Sequence, residues 1–366
     1  MGKGETSIPD EEWERFLRDA EAGVSGAPEE PSARARMVTQ RLGAESGSPA
    51  GWRTHQPPSR QKSKVWYVVG FFVAVALLVV SLIPGWATGW FDGGGGDTAP
   101  LAAESERPTR PPATEPAAEL PTLDEPFRGS PAARWGDGAA ALTLPGARAT
   151  GWMSKAQVAQ ALERSRDFLA ASGLDHRVLR GERPRNAIVL MNPHQKDVQE
   201  YVTAALRTPS AENDPLLLFS RFAPSKVRVV GDVVKTRGLI TYREGKRGAV
   251  EVTADVTYVY PVVRAAAGSD EVTRTIVRRE IVMSWDDPAK IIIKPGTFSL
   301  VSYRSDSANS GCDNHTGYFA PEFAADRAAD DDRHDGAVVD PYDRSVSMDV
   351  LVPEGGDGEC GTATRL

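Results

Sequence analysis

Between Lys64 and Phe91 the chain reads KVWYVVGFFVAVALLVVSLIPGWATGWF, and from Val65 to Ile83 there are 19 consecutive residues without a charge. At about 1.5 Å rise per residue, those residues span roughly 28 Å as a helix, close to the hydrocarbon thickness of a bilayer. A surface helix of a globular domain carries a polar face, which this run lacks. Trp66, Tyr67, Trp86 and Trp90 bracket it, where amphipathic rings settle at headgroup level. The run begins 64 residues into the chain and no small-x-small cleavage site follows it. A permanent transmembrane anchor over 65–91 is expected rather than a signal peptide.

The flanks orient that anchor. Arg53, Arg60, Lys62 and Lys64 precede it with no acid among them, whereas Asp92 and Asp97 follow and the first arginine beyond is Arg107. Positive residues near a span resist translocation, so the expected protein is single-pass in the cell membrane, with its N-terminus cytoplasmic and its C-terminal domain extracytoplasmic. The net charge of −7 gives no support to a nucleic-acid partner.

Residues 1–64 are too short and polar to bury a core, and are expected as a mostly disordered cytoplasmic tail with short helices. Trp13, Phe16, Leu17 and Ala20 mark one such helix, and Ser32 can cap another. Residues 92–130, with GGGG and repeated proline, read as a Gly/Pro-rich spacer. An extracytoplasmic domain follows over 131–309, and a C-terminal extension over 310–366.

Ser154 with Gln157 is a capping box, and Met153 with Val158 forms a hydrophobic staple, so a helix is predicted to start there and to stop at Gly173. Asn192-Pro193, with Gln195 at the third helical position, introduces a second helix carrying Val198, Tyr201, Val202 and Leu206 on one side. In AVEVTADVTYVY, Val250, Val252, Ala254, Val256, Tyr258 and Tyr260 alternate with polar residues, the period of a strand. KVRVVGDVVKTRGLITYR before it, with a bulge at Gly231, and VTRTIVRREIVMSW and KIIIKPGTFSLVSY after it complete an expected meander. The predicted class is α+β, with helices packed on one face of a curved, cone-like, four-stranded antiparallel sheet.

The phrases DFLAASGLDHRVLRGERPRNAIVLMNPHQKD, VRVVGDVVKTRG, VTADVTYVYPV and CDNHTGYFAPEF, with PDEEWERFLRDAEAG and EEPSARARMVTQRL near the start, resemble an uncharacterised family of actinobacterial single-span membrane proteins. Helices followed by a long antiparallel sheet further resemble the cone fold of the nuclear-transport-factor-2 and cystatin-like superfamily. Secretion-channel components and cell-entry-associated envelope proteins have that shape. By analogy the resemblance implies a scaffold or binding role; it carries over no site residue.

No catalytic signature accompanies these elements: there is no G-x-S-x-G, P-loop, dinucleotide fingerprint or H-E-x-x-H. The expectation is a non-enzymatic protein without cofactor or metal, whose head binds an envelope protein partner or a wall or lipid component. Alternatives are a head that holds a small apolar ligand in a concave sheet, with Tyr258, Tyr260, Trp285 and Phe298 contributing to the pocket, and an unrecognised hydrolase. Cys312 and Cys360 are the only cysteines, and outside the membrane they are expected to form a disulfide. Asp330, Asp331, Asp332 and Asp335 offer oxygen ligands but lack the spacing of a calcium loop. Arg177, Arg180, Arg183 and Arg185 form a basic group interleaved with Asp175 and Glu182.

Overall fold

The computed structural model describes Arg15, Arg18 and residues 100–113, 120–312, 314–324, 326, 338–353 and 362–366. The chain divides into two units, Met1–Gly93 and Gly94–Leu366. Of the first, Arg15 and Arg18 are described, both helical and exposed. The anchor expected over 65–91 and the helix expected after Ser32 lie outside the described residues. Among the described residues, no helix is long and apolar enough to cross a membrane.

The second unit is built on one antiparallel sheet of six strands: β1 (Gly136–Asp137), β2 (Val227–Val229), β3 (Lys235–Glu244), β4 (Val250–Arg264), β5 (Thr273–Trp285) and β6 (Ser299–Ala308). The order is β1-β3-β4-β5-β6, with β2 paired to β4 beyond the end of β3. Helices are a minor part. Those whose bounds are described are α1 (Lys155–Gly173), the single turns α2 (His176–Leu179) and α3 (Arg185–Ile188), α4 (Lys196–Arg207) and a late turn α5 (Met348–Leu351). A short parallel pair, β7 (Val338–Val339) and β8 (Thr362–Ala363), stands apart from the main sheet.

This overturns the expected α+β cone on four strands. The run expected as one bulged strand is two: Gly231 takes φ +66°, the chain turns there, β2 pairs Val227↔Arg264, and β3 returns to the same neighbour at Lys235↔Val259. Gly136–Asp137 adds a sixth strand outside β3. The last strand starts only at Ser299, because residues 291–297 form a loop that turns at Gly296, φ +78°.

The start of α1 follows its sequence signals. Ser154 accepts from the Gln157 amide and the Gln157 side chain accepts from Ser154 N, closing the capping box, while Met153 and Val158 are both buried. Val158, Ala161, Leu162, Phe168 and Leu169 lie on the buried side of α1 and pack onto Val252, Ala254, Val256 and Tyr258 of β4 in one core. Each fully buried Val, Leu or Phe side chain among them contributes roughly 1.5–3 kcal/mol. Gly173 permits the contact at the end of the helix: a Cβ there would meet the Tyr258 ring at 2.8 Å. The α4 start is shifted by three residues from Asn192, since Gln195 is the N-cap. Asn192 and Gln195 serve the sheet edge instead. Gln195 Nε2 donates to Leu300 O at 2.9 Å and its Oε1 accepts from Leu300 N at 2.8 Å, so one side-chain amide pairs with the edge of β6 as a neighbouring strand does.

The opposite face of the sheet, which carries the alternating polar residues, is also buried over much of β4 and β5. Val259 and Ile276 pack with Phe127, Ala132, Trp135 and Tyr342, and Asp255 and Thr257 lie under the same cover. That cover comes from two distant segments: residues 100–113 and 120–137, which fall largely within the expected spacer, and residues 340–353 and 362–366.

Candidate functional site

The four aromatic residues named for a concave pocket sit in filled core. Tyr258 and Tyr260 stack with ring centroids 6.1 Å apart, and Phe298 meets Phe168 edge-on at 4.9 Å and Trp285 at 5.9 Å. All four are nearly or fully buried, and Trp285 alone borders a cleft. Beneath the tyrosines lies a polar knot. The Tyr260 hydroxyl donates to Gly173 O at 2.9 Å and is paired with Ser220 Oγ at 2.7 Å, and Arg279 donates to Ser220 Oγ and Leu216 O. Burial pushes the Tyr260 hydroxyl up to about 12, against the lowering influence of Arg279. These groups satisfy one another inside the fold, and act to hold the loop before β2 against the sheet.

A second, larger network occupies the other face. Arg278 grips Asp255 through Nε at 2.9 Å and Nη2 at 2.8 Å, and Arg107 and Arg344 reach the same carboxylate at 2.8 and 3.2 Å. Arg344 also binds Glu104 at 2.9 Å, and Arg237 reaches Glu104 at 2.8 Å. Burial pushes Asp255 up, but the Arg278 hydrogen bonds and the charges of Arg344, Arg278 and Arg107 outweigh it and hold the carboxyl below its usual range. Arg278 and Arg279 are neighbours in β5, so their side chains leave on opposite faces and serve the two networks separately. Glu104, Arg107 and Arg344 could not be found from strand periodicity. The one available signal was Asp255 opposite an arginine-rich strand.

Two surface clefts stand out among the described residues. The first, about 210 Å³, lies between the start of α1, the end of β5 and the loop after it, with Trp152, Gln157, Gln160, Arg164, Asp286 and Lys294 among its walls. Its geometry is held by backbone. Trp152 N donates to Gly248 O at 2.9 Å, and Gly151, at φ +56°, approaches so closely that a Cβ would meet Gly248 O at 2.0 Å. The Trp152 indole N–H donates to Trp285 O at 2.9 Å, which fixes the ring. Across the cleft, Arg164 Nη1 donates to Gly296 O at 3.2 Å. The second cleft, about 240 Å³, joins His176, Arg180, Arg228 and Asp232 around Phe222 and Gly231. One member of the basic group seen in the sequence, Arg180, therefore lines the same cleft as Arg228 of β2; Arg177, Arg183 and Arg185 are exposed.

Among the described residues, no group of three or more His, Cys, Asp and Glu could hold a metal ion. Asp330, Asp331, Asp332 and Asp335 lie outside the described residues, as does Cys360, the expected partner of Cys312. The described arrangement can bind at its surface and brace itself inside. The chain matches no family model, no curated protein and no solved structure.

Proposed function

We infer that the protein is a non-enzymatic, membrane-anchored component of the cell envelope, whose extracytoplasmic domain binds a protein partner or a wall or lipid component in a scaffold or assembly role. The observation that carries this reading is the filled interior. Tyr258, Tyr260 and Phe298 are packed between helix and sheet, which favours recognition at the surface, where clefts lie among the described residues. The anchor and its orientation rest on the uncharged run after Lys64 and on the basic residues before it.

The test is crosslinking of the intact chain in living cells, followed by purification and identification of covalently attached proteins and polymers. The expected result is a specific envelope macromolecule attached through residues beyond 99. Recovery of the chain without any such partner, but with a small apolar molecule bound inside it, would overturn the reading.

A further inference from the structure

We propose that the Trp152 cleft is a glycan subsite that seats one pyranose ring of an envelope polysaccharide; this deepens the binding reading above and rests on it. The size decides first. At about 210 Å³ the cleft falls below the ~300–1,000 Å³ range of drug-sized pockets, and suits a single ring. Its chemistry decides next. Trp152 and Pro288 give an apolar wall, against which the C–H face of a sugar can lie. Around that wall are planar polar groups with capacity to spare. Gln157 uses Oε1 on Ser154 N, which leaves its Nε2 donors. Arg164 uses Nη1 on Gly296 O, which leaves Nε and Nη2, and Asp286 uses Oδ1 on the Ser284 hydroxyl, which leaves Oδ2. Exposed Gln160 adds both a donor and an acceptor at the rim. Side-by-side donors and acceptors around an indole match a ring whose faces are apolar and whose edge carries vicinal hydroxyls. An aliphatic chain would draw nothing from those polar groups, which would keep only water as partner.

The site is also preorganised. Trp152 is fixed by two hydrogen bonds and by the close passage of Gly151 over Gly248, so little ordering remains to be done on binding.

The full-length chain in detergent micelles is titrated calorimetrically with chitotriose, cellotriose and mannotriose, each beside its monosaccharide, and with a synthetic proline-rich peptide. Saturable binding of at least one trisaccharide is expected. Trp152→Ala should weaken it by about 10-fold or more, and exposed Gln160→Ala by about 3-fold, in the range for losing an aromatic anchor and one rim hydrogen bond. Arg207→Ala, exposed at the end of α4 and outside both clefts, should leave it unchanged. Equal affinity for the monosaccharide supports the ring subsite and assigns it to free sugar; tighter binding of the trimer assigns it to polymer. The proposal is overturned if no sugar saturates, if both Trp152→Ala and Gln160→Ala bind as the unaltered chain does, or if the peptide alone binds. Should crosslinking still capture an envelope partner while no sugar binds, the glycan subsite alone falls and the binding role stands.

Discussion

Asp255 is the residue on which most of the second face converges, and three arginines from three separate segments end on its carboxylate. Removing one member of a buried ion network leaves the others uncompensated, so Asp255→Asn is expected to cost about 3–5 kcal/mol at neutral pH. The pH dependence has a definite sign. The folded carboxyl is held below its unfolded value, so the stabilisation is present above about pH 4 and is lost as pH falls through the lowered folded value. The difference in Tm between the unaltered chain and Asp255→Asn should therefore be flat from about pH 5 to 8 and shrink in acid. A difference that stayed constant down to strongly acidic pH would show that the carboxylate charge is not what the variant removes.

Among the elements, α1 and β4 were legible in the sequence because their signals are local: a capping box, a terminal glycine, and a two-residue alternation of apolar side chains. What escaped was everything that depends on segments far apart. Alternation identifies one apolar face and marks the other as polar, yet Glu104 and Arg344 turn that polar face into buried structure. The proline-rich composition around Arg107 read as a spacer because proline disfavours regular elements, not because it prevents an irregular segment from packing. The aromatic residues proposed for a pocket were recognised as strand residues, but strand position alone does not distinguish a cavity wall from a packed core. The Trp152 cleft went unread because its walls are separated by over a hundred residues. One prediction belongs at this scale. A chain starting at Pro131 lacks Glu104, Arg107 and Phe127 and uncovers Val259 and Ile276. Calorimetry should find a cooperative transition for residues 94–366 and a lower, broadened one, or none, for 131–366. Equal transitions would show that the arm is dispensable.

For the whole molecule, the expected Cys312–Cys360 bridge closes a loop of about 50 residues and, by chain entropy, stabilises by at most about 4 kcal/mol. Mass spectrometry of non-reduced protein from the envelope should find the two cysteine peptides linked; two freely alkylated thiols would reject the pairing. The double cover of the sheet has a further consequence, in the timing of folding. Arg344 and Glu104 are 240 positions apart, and Arg274 holds Leu366 O as well as Pro126 O. A chain emerging from a ribosome or translocation pore presents the meander long before the segment that closes its second face. Phe127, Ala132 and Trp135 precede the sheet in the chain, so what waits for the last segment is the closure by Tyr342 over Val259 and Ile276 and by Arg344 at Asp255. Closure of the second face therefore joins segments far apart in the chain, a step of high contact order that is expected to be slow.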